Sequence, residues 1–178
     1  MAYTTIDKPT DYFNTVLYTG SDGTQSVTGV GFQPDWSWLK CRSTAYYHRL
    51  FDTVRGAGKN LRSDTTNAEQ TVDEGITAFN SDGFSVKQGF SLEYNASGET
   101  YVSWNWKESA TAGFDIVSYT GNGTDDTDIS HNLSAVPKMI VVKNRDAADA
   151  WQVYHAGNTA APETDYMVLD TTAATADA

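Results

Sequence analysis

Tyr101-Val102-Ser103-Trp104-Asn105-Trp106 alternates without a break. A period of two places Val102, Trp104 and Trp106 on one face of a strand and Tyr101, Ser103 and Asn105 on the other. The bulky apolar face predicts a core side, with Trp104 and Trp106 buried. The stretch from Phe32 to Lys40 reads as a second strand, entered through Pro34, where proline is tolerated at a strand's start but not at its centre. Trp36, Trp38 and Lys40 share one of its faces, Ser37 and Leu39 the other. The predicted core of this unit therefore holds Trp104, Trp106 and either the Trp36/Trp38 face or the Leu39 face.

Outward from these strands the pattern persists. Residues 12–18 read as a strand running into a Gly20…Gly23 turn, and residues 27–30 as a hairpin arm pairing back on it. Residues 46–54 form an aromatic-rich strand, and residues 63–74 a polar, acidic loop or single helical turn. Asn80-Ser81-Asp82-Gly83 is a hairpin signal between strands at 76–79 and 84–86, and Asn95-Ala96-Ser97-Gly98 is another turn. Residues 139–142 are apolar on both faces and read as a central, doubly covered strand. Strands follow at 151–154 and 166–169. No amphipathic helix exceeds about two turns. Five Trp, ten Tyr and seven Phe with frequent Thr favour strands. The predicted fold is all-β, an antiparallel jelly-roll-like β-sandwich.

The chain also repeats itself. Tyr18-Thr19-Gly20 returns as Tyr119-Thr120-Gly121, and Pro34, Lys40 and Arg42 return as Pro137, Lys143 and Arg145. Asp64-Thr65-Thr66-Asn67-Ala68 recurs as Asp170-Thr171-Thr172-Ala173-Ala174. The matches keep one order, which divides the chain into a complete unit (1–108), a short linker (109–113) and an incomplete second copy (114–178). Lys40 is expected to superpose on Lys143, and Trp38 on Val141. The second copy has no counterpart of residues 75–107. Its completion is expected from further natural sequence or from another chain, since an uncovered apolar strand at 139–142 invites aggregation.

Charge and motif content exclude several functions. A net charge of −11 and a pI near 4.4 leave no basic stripe for nucleic acid. One cysteine, Cys41, precludes an internal disulfide and reads as a small buried hydrophobe. No leader-like segment and no 18-residue apolar run occur, so synthesis in a cytoplasm without secretion or membrane insertion is expected. The sequons at Asn95, Asn122 and Asn132 then carry little weight. His48, His131 and His155 lack metal-ligand spacing and read as structural. Asp125-Asp126-Thr127-Asp128 lacks the full calcium-loop pattern and reads as a solvated turn. Glu93 and Glu99 are the carboxylates that could pair for glycoside hydrolysis, but both lie in or beside turns with no apolar pocket around them. Tyr46, Tyr47 and Trp151 could stack on sugar rings, although packing is the commoner use of such residues. No catalytic residue, metal ligand or cofactor is expected, and no ligand-binding residue is singled out.

A family resemblance joins these segments. The string from Met1 to Asp7, Tyr12-Phe13, Leu17-Tyr18-Thr19-Gly20, and Gly31-Phe32-Gln33-Pro34-Asp35-Trp36 resembles a β-sandwich domain of marine and cyanobacterial phage virion proteins. So do Leu50-Phe51-Asp52-Thr53-Val54-Arg55-Gly56, Phe79-Asn80-Ser81-Asp82-Gly83-Phe84 and Tyr101 to Lys107. Pro137-Lys138-Met139-Ile140 and Trp151-Gln152-Val153-Tyr154-His155 match in the second copy. The resemblance implies a concanavalin-like or SPRY-like jelly roll and brings no catalytic residues. It implies a non-enzymatic virion protein of the tail-fibre or surface-appendage type, assembled in the host cytoplasm and acting in host adhesion or particle assembly. Expected partners are other virion proteins, a host cell-surface glycan and further copies in a homo-oligomer. The rival readings are a polysaccharide depolymerase and a purely architectural virion protein with no ligand.

Overall fold

The computed structural model describes residues 6–177, and the readings that rest on residues 1–5 lie outside them. The fold is an all-β antiparallel sandwich, as expected. A single 3-10 turn, Pro9–Asp11, leads into the first unit. Its strands are β1 (Phe13–Thr19), β2 (Thr24–Thr28), β3 (Trp36–Cys41), β4 (Arg49–Asp52), β5 (Lys59–Asn60), β6 (Gln70–Thr71), β7 (Gly75–Asn80), β8 (Gly83–Lys87) and β9 (Thr100–Trp106). One sheet has the order β1-β9-β3-β4, the other β2-β8-β7, and β5-β6 form a short ribbon. β9 is central: Tyr101–Trp106 pairs with Tyr18–Phe13 on one side and with Cys41–Trp36 on the other.

That register decides which side is inside. Trp36 lies opposite Trp106, and Trp38 opposite Trp104, so all four indoles share one sheet face. The core is on the other face, where Leu39 and Phe51 pack against Val27, Ile76, Phe84, Val86 and Tyr94 from across the sandwich, with Val16 and Tyr18 alongside. On β9 Tyr101, Ser103 and Asn105 are buried on the inner face and Val102 on the outer, whereas Trp104 and Trp106 are half-buried. The expectation that Trp104 and Trp106 lie in the core is therefore corrected, and the Leu39 face is the inner one.

The inner face of β9 tolerates polar residues because each is satisfied. Ser37 Oγ donates to Asn105 Oδ1 (2.8 Å), and Asn105 Nδ2 donates to Ser103 Oγ (3.0 Å) and to the Asn14 carbonyl (3.2 Å). Tyr101 Oη donates to the Leu92 carbonyl and accepts from the Ala96 amide. A buried polar group with partners costs little; an orphaned one is expensive. Cys41 is free and buried, as expected.

The predicted Asp82-Gly83 hairpin joins β7 to β8, with Asn80 opposite Gly83. Gly83 has φ +133°, and a Cβ there would fall 2.1 Å from the Val27 carbonyl oxygen, so only glycine fits. The Asp82 carboxylate accepts the Gly29 and Gly31 amides at 3.1 and 2.6 Å, tying down the exit of β2. β2 does not fold back on β1, as the hairpin-arm reading required; it pairs with β8 in the opposite sheet.

The second copy holds β10 (Met139–Val142), β11 (Gln152–His155), β12 (Asp165–Val168) and β13 (Ala176–Asp177), in that order in one sheet. It reproduces β3 to β6 strand for strand. Trp36↔Asp52 and Leu39↔Arg49 correspond to Met139↔His155 and Val142↔Gln152. The Leu50↔Leu61 bridge corresponds to Val153↔Met167. Lys59↔Thr71 and Asn60↔Gln70 correspond to Asp165↔Asp177 and Tyr166↔Ala176. Even a side-chain brace recurs: Asp64 Oδ2 accepts the His48 amide (3.3 Å), and Asp170 Oδ1 accepts the amide of Trp151, the equivalent position (3.0 Å).

The equivalents of β1, β2 and β7 to β9 are not formed among the described residues. Residues 115–138 follow no strand, and β10 is an edge strand with Met139, Ile140 and Val141 each exposed. The reading of 139–142 as a central, doubly covered strand is corrected. Its apolar character suits a central place, but among the described residues no second strand pairs with it.

Candidate functional site

The outer face of the β1-β9-β3-β4 sheet carries the most distinctive side chains of the chain. Phe13 stands 4.8 Å from Trp106, centroid to centroid, and Trp106 stands 4.7 Å from Trp36. Trp36 is 5.9 Å from Trp38, which meets Trp104 edge-on at 6.2 Å. These spacings are those of favourable offset and edge-to-face pairs. Alternation on three neighbouring strands builds the row: Phe13, Thr15 and Leu17 on β1, Trp106, Trp104 and Val102 on β9, and Trp36 and Trp38 on β3.

One half of this face is covered from the second copy. Phe114 stacks on Trp36 (5.7 Å, 11° between planes), and the buried Trp151 packs with Leu50 and Leu61 beside Trp36 and Trp38. The Trp151 indole donates to the Arg62 carbonyl at 2.7 Å. The other half, around Phe13, Trp104, Trp106 and Leu17, stays in contact with solvent; Leu17 is 59% exposed and Phe13 38%.

Polar capacity on the face differs from ring to ring. Trp38 Nε1 donates to His48 Nδ1 at 2.8 Å, which places the histidine proton on Nε2. Burial lowers the His48 pKa, opposed by Asp64 and assisted by Lys40, so the ring stays the neutral acceptor this bond needs. Among the described residues, the indole N–H groups of Trp36, Trp104 and Trp106 donate to nothing.

The residues weighed from sequence are dispersed. Glu93 is buried against Arg49, whose guanidinium also donates to Asn60 Oδ1 (2.7 Å) and lies over the Tyr94 ring (5.3 Å). Glu99 is taken up instead by the hydroxyls of Ser43 and Thr44, which hold its pKa down. The two carboxylates serve separate networks. His131 and His155 each accept an amide two residues on, from Leu133 and Gly157. Asp125-Asp126-Thr127-Asp128 forms a turn with Asp126 at φ +57°, and no metal-ligand cluster occurs among the described residues. Tyr47 is exposed and faces the Arg62 guanidinium (4.4 Å), Tyr46 is half-buried, and Trp151 is buried between the copies.

Sequence reasoning missed Phe13 and Phe114 as members of the aromatic face. Residues 12–18 were legible as a strand, but only the β1–β9 register sets Phe13, Thr15 and Leu17 beside the indoles.

No curated protein and no solved structure matches the chain. One family model does match, over residues 8–178. That match spans both copies, and the chain belongs to the family described as "Domain of unknown function (DUF7483)".

Proposed function

We propose that this protein is a non-catalytic binding module of a phage tail fibre or similar virion appendage, and that it recognises a host-surface glycan. The observation that carries this reading is the solvated half of the indole face. Phe13, Trp104 and Trp106 offer flat apolar rings beside unpaired indole N–H donors, the combination that suits a sugar ring with one apolar face and a hydroxyl rim. The rings sit on strands rather than loops, so the platform is rigid before a ligand arrives, which limits the entropy lost on binding. Single-site affinity on so shallow a face is weak, and repeated display on a particle would raise it by avidity. The resemblance to phage β-sandwich domains supports the virion setting, and the partners would be other virion proteins and further copies of the chain.

The test is a glycan screen with the wild type and with Trp104→Ala, monitored by ligand-observed resonance. Saturable binding that Trp104→Ala abolishes, while the near-ultraviolet signature of the core is kept, supports the reading. Release of reducing ends from host polysaccharide would replace it with a depolymerase. No binding to any glycan, with ordered assembly of the chain into a particle, would replace it with a purely architectural role.

A further inference from the structure

The solvated indole face does not end at its rings. Beyond Thr15, Trp104 and Trp38, the next outward positions are Leu17, Val102 and Lys40, aligned across β1, β9 and β3. One step further come Thr19 and Thr100. The Arg42 amide donates to the Thr100 carbonyl at 2.7 Å, so the ladder continues past the last residue of β3. Arg42 therefore keeps the outward side of Trp36, Trp38 and Lys40.

The charges on this face run against those of the chain. The sequence holds 23 Asp and Glu against 12 Lys and Arg. Yet the outward positions of β1, β9 and β3 carry Lys40 and Arg42 and no carboxylate. β4 adds Asp52 opposite Trp36, where it is buried and paired with Arg55. Glu99, just before Thr100, turns the other way, to the Ser43 and Thr44 hydroxyls and to within 3.8 Å of the inward Cys41 thiol.

Both cations are free to meet a ligand. Arg49, Arg55 and Arg145 are each bound to a carboxylate. Among the described residues the exposed Arg42 side chain has no hydrogen bond or ion pair. Lys40 Nζ donates only to the Tyr46 carbonyl, which leaves its charge unneutralised. Alternate residues of a strand stand about 7 Å apart, so the two cations follow the Trp38–Trp104 row at about 7 and 14 Å. A sugar stacked on Trp104 puts the next unit of its chain over the exposed Leu17, beside both.

We infer that the ligand of this face is an acidic glycan, with a carboxylate or sulfate on the unit next to the sugar that stacks on Trp104, received by Arg42 and Lys40. The inference rests on the glycan reading of the indole face and adds its substrate class. A guanidinium offers paired donors to either oxyanion, and an ammonium supplies a compact point charge. The net charge of −11 does not prevent this, because carboxylates elsewhere on the chain are screened beyond about 8 Å at physiological ionic strength.

The experiment titrates the whole chain with matched oligosaccharide pairs, followed by ligand-observed resonance. Oligouronates and their methyl esters test the carboxylate; sulfated galactans and their desulfated forms test the sulfate. The acidic member of one pair is expected to bind about tenfold more tightly than its neutral partner. Arg42→Gln should remove that advantage and leave the neutral partner's affinity as it was, while Trp104→Ala should abolish binding of both. Arg42→Lys, which keeps the charge, should retain most of the advantage. Lys40→Gln, whose amide can still donate to Tyr46, should lower it. Polyphosphate, anionic but without a ring to stack, should not compete. Equal affinity within every pair, or an advantage that survives both Arg42→Gln and Lys40→Gln, overturns the inference and leaves the glycan reading standing. Effective competition by polyphosphate reduces the site to a general anion patch and also overturns it. Absence of binding by every oligosaccharide overturns the glycan reading itself, and this inference falls with it.

Discussion

Arg145 grips both carboxylate oxygens of Glu69, Nε to Oε2 at 2.9 Å and Nη2 to Oε1 at 3.0 Å, and the Glu69 amide donates to the Arg145 carbonyl at 2.9 Å. Glu69 belongs to the polar loop of the first unit and Arg145 follows β10, so this three-point clasp joins the two copies. Arg55 completes it from the first unit, 3.2 Å from Glu69 Oε2. Bidentate arginine–carboxylate pairs are the strong, geometrically selective kind.

Glu69→Gln should therefore loosen the second copy from the first. Charge-assisted bonds of this sort contribute about 2 kcal/mol, so a melting point lowered by several degrees and faster proteolysis within residues 109–138 are expected. The pH dependence has a defined sign. Burial raises the Glu69 pKa, but Arg145 and Arg55 outweigh it and hold the value below that of an ordinary glutamate. The stabilisation is complete above the unfolded value of about 4.3 and is lost as pH falls through the lower folded value. Wild type should lose the clasp in that acid window, whereas Glu69→Gln should show no such step.

The two Tyr-Thr-Gly marks separate the copies sharply. A Cβ on Gly20 would lie 2.0 Å from the Ala96 carbonyl oxygen, inside the closed end of the first sandwich. A Cβ on Gly121 would meet nothing within 4 Å. Gly20→Ala should cost about 2 kcal/mol or more through backbone displacement, and Gly121→Ala should leave the melting curve unchanged. Equal effects of the two changes would show that residues 119–121 are enclosed as residues 18–20 are.

Core placement gives a third comparison. Phe51 and Phe84 are wholly buried, whereas Trp104 is half-buried on the outer face. Truncating either phenylalanine to alanine should cost about 3–5 kcal/mol. Trp104→Ala should cost clearly less, and chemical denaturation of the three variants orders them directly.

The misplacement of Trp104 marks where the sequence stops being legible. Alternation located β9 to within one residue and divided its side chains correctly into two sets. It did not say which set faces inward, because size and apolarity favour the indoles. The interior is built the other way. Phe51, Phe84, Ile76 and Tyr94 supply the bulk from other strands, and the Ser37–Ser103–Asn105 bonds make small polar residues acceptable beneath them. The repeat was legible for a different reason. Pro34, Lys40 and Asp64 sit at fixed points of one supersecondary unit, β3 to β6, and their spacing survives in Pro137, Lys143 and Asp170. The two offsets, 103 between Lys40 and Lys143 and 106 between Asp64 and Asp170, differ because the β11–β12 connection is longer than the β4–β5 one. The outer aromatic face depends on pairing three strands distant in sequence, so spacing alone could not assemble it.

The last prediction concerns His48, which reports on the indole face from within. Its Nδ1 accepts the Trp38 indole proton, and burial holds its pKa below the ordinary histidine value. A depressed histidine stabilises the fold fully above its unfolded pKa of about 6.5, and the contribution is lost as pH falls towards the folded value. Protonation converts Nδ1 from acceptor to donor and breaks the bond to Trp38. A shift in tryptophan emission is therefore expected as pH falls below the ordinary histidine value of about 6.5. His48→Gln, which keeps a polar side chain but cannot titrate, should remove that shift while leaving the loss of the Glu69 clasp in place. Emission that follows the same curve in His48→Gln would assign the change to another group and break the link between Trp38 and His48.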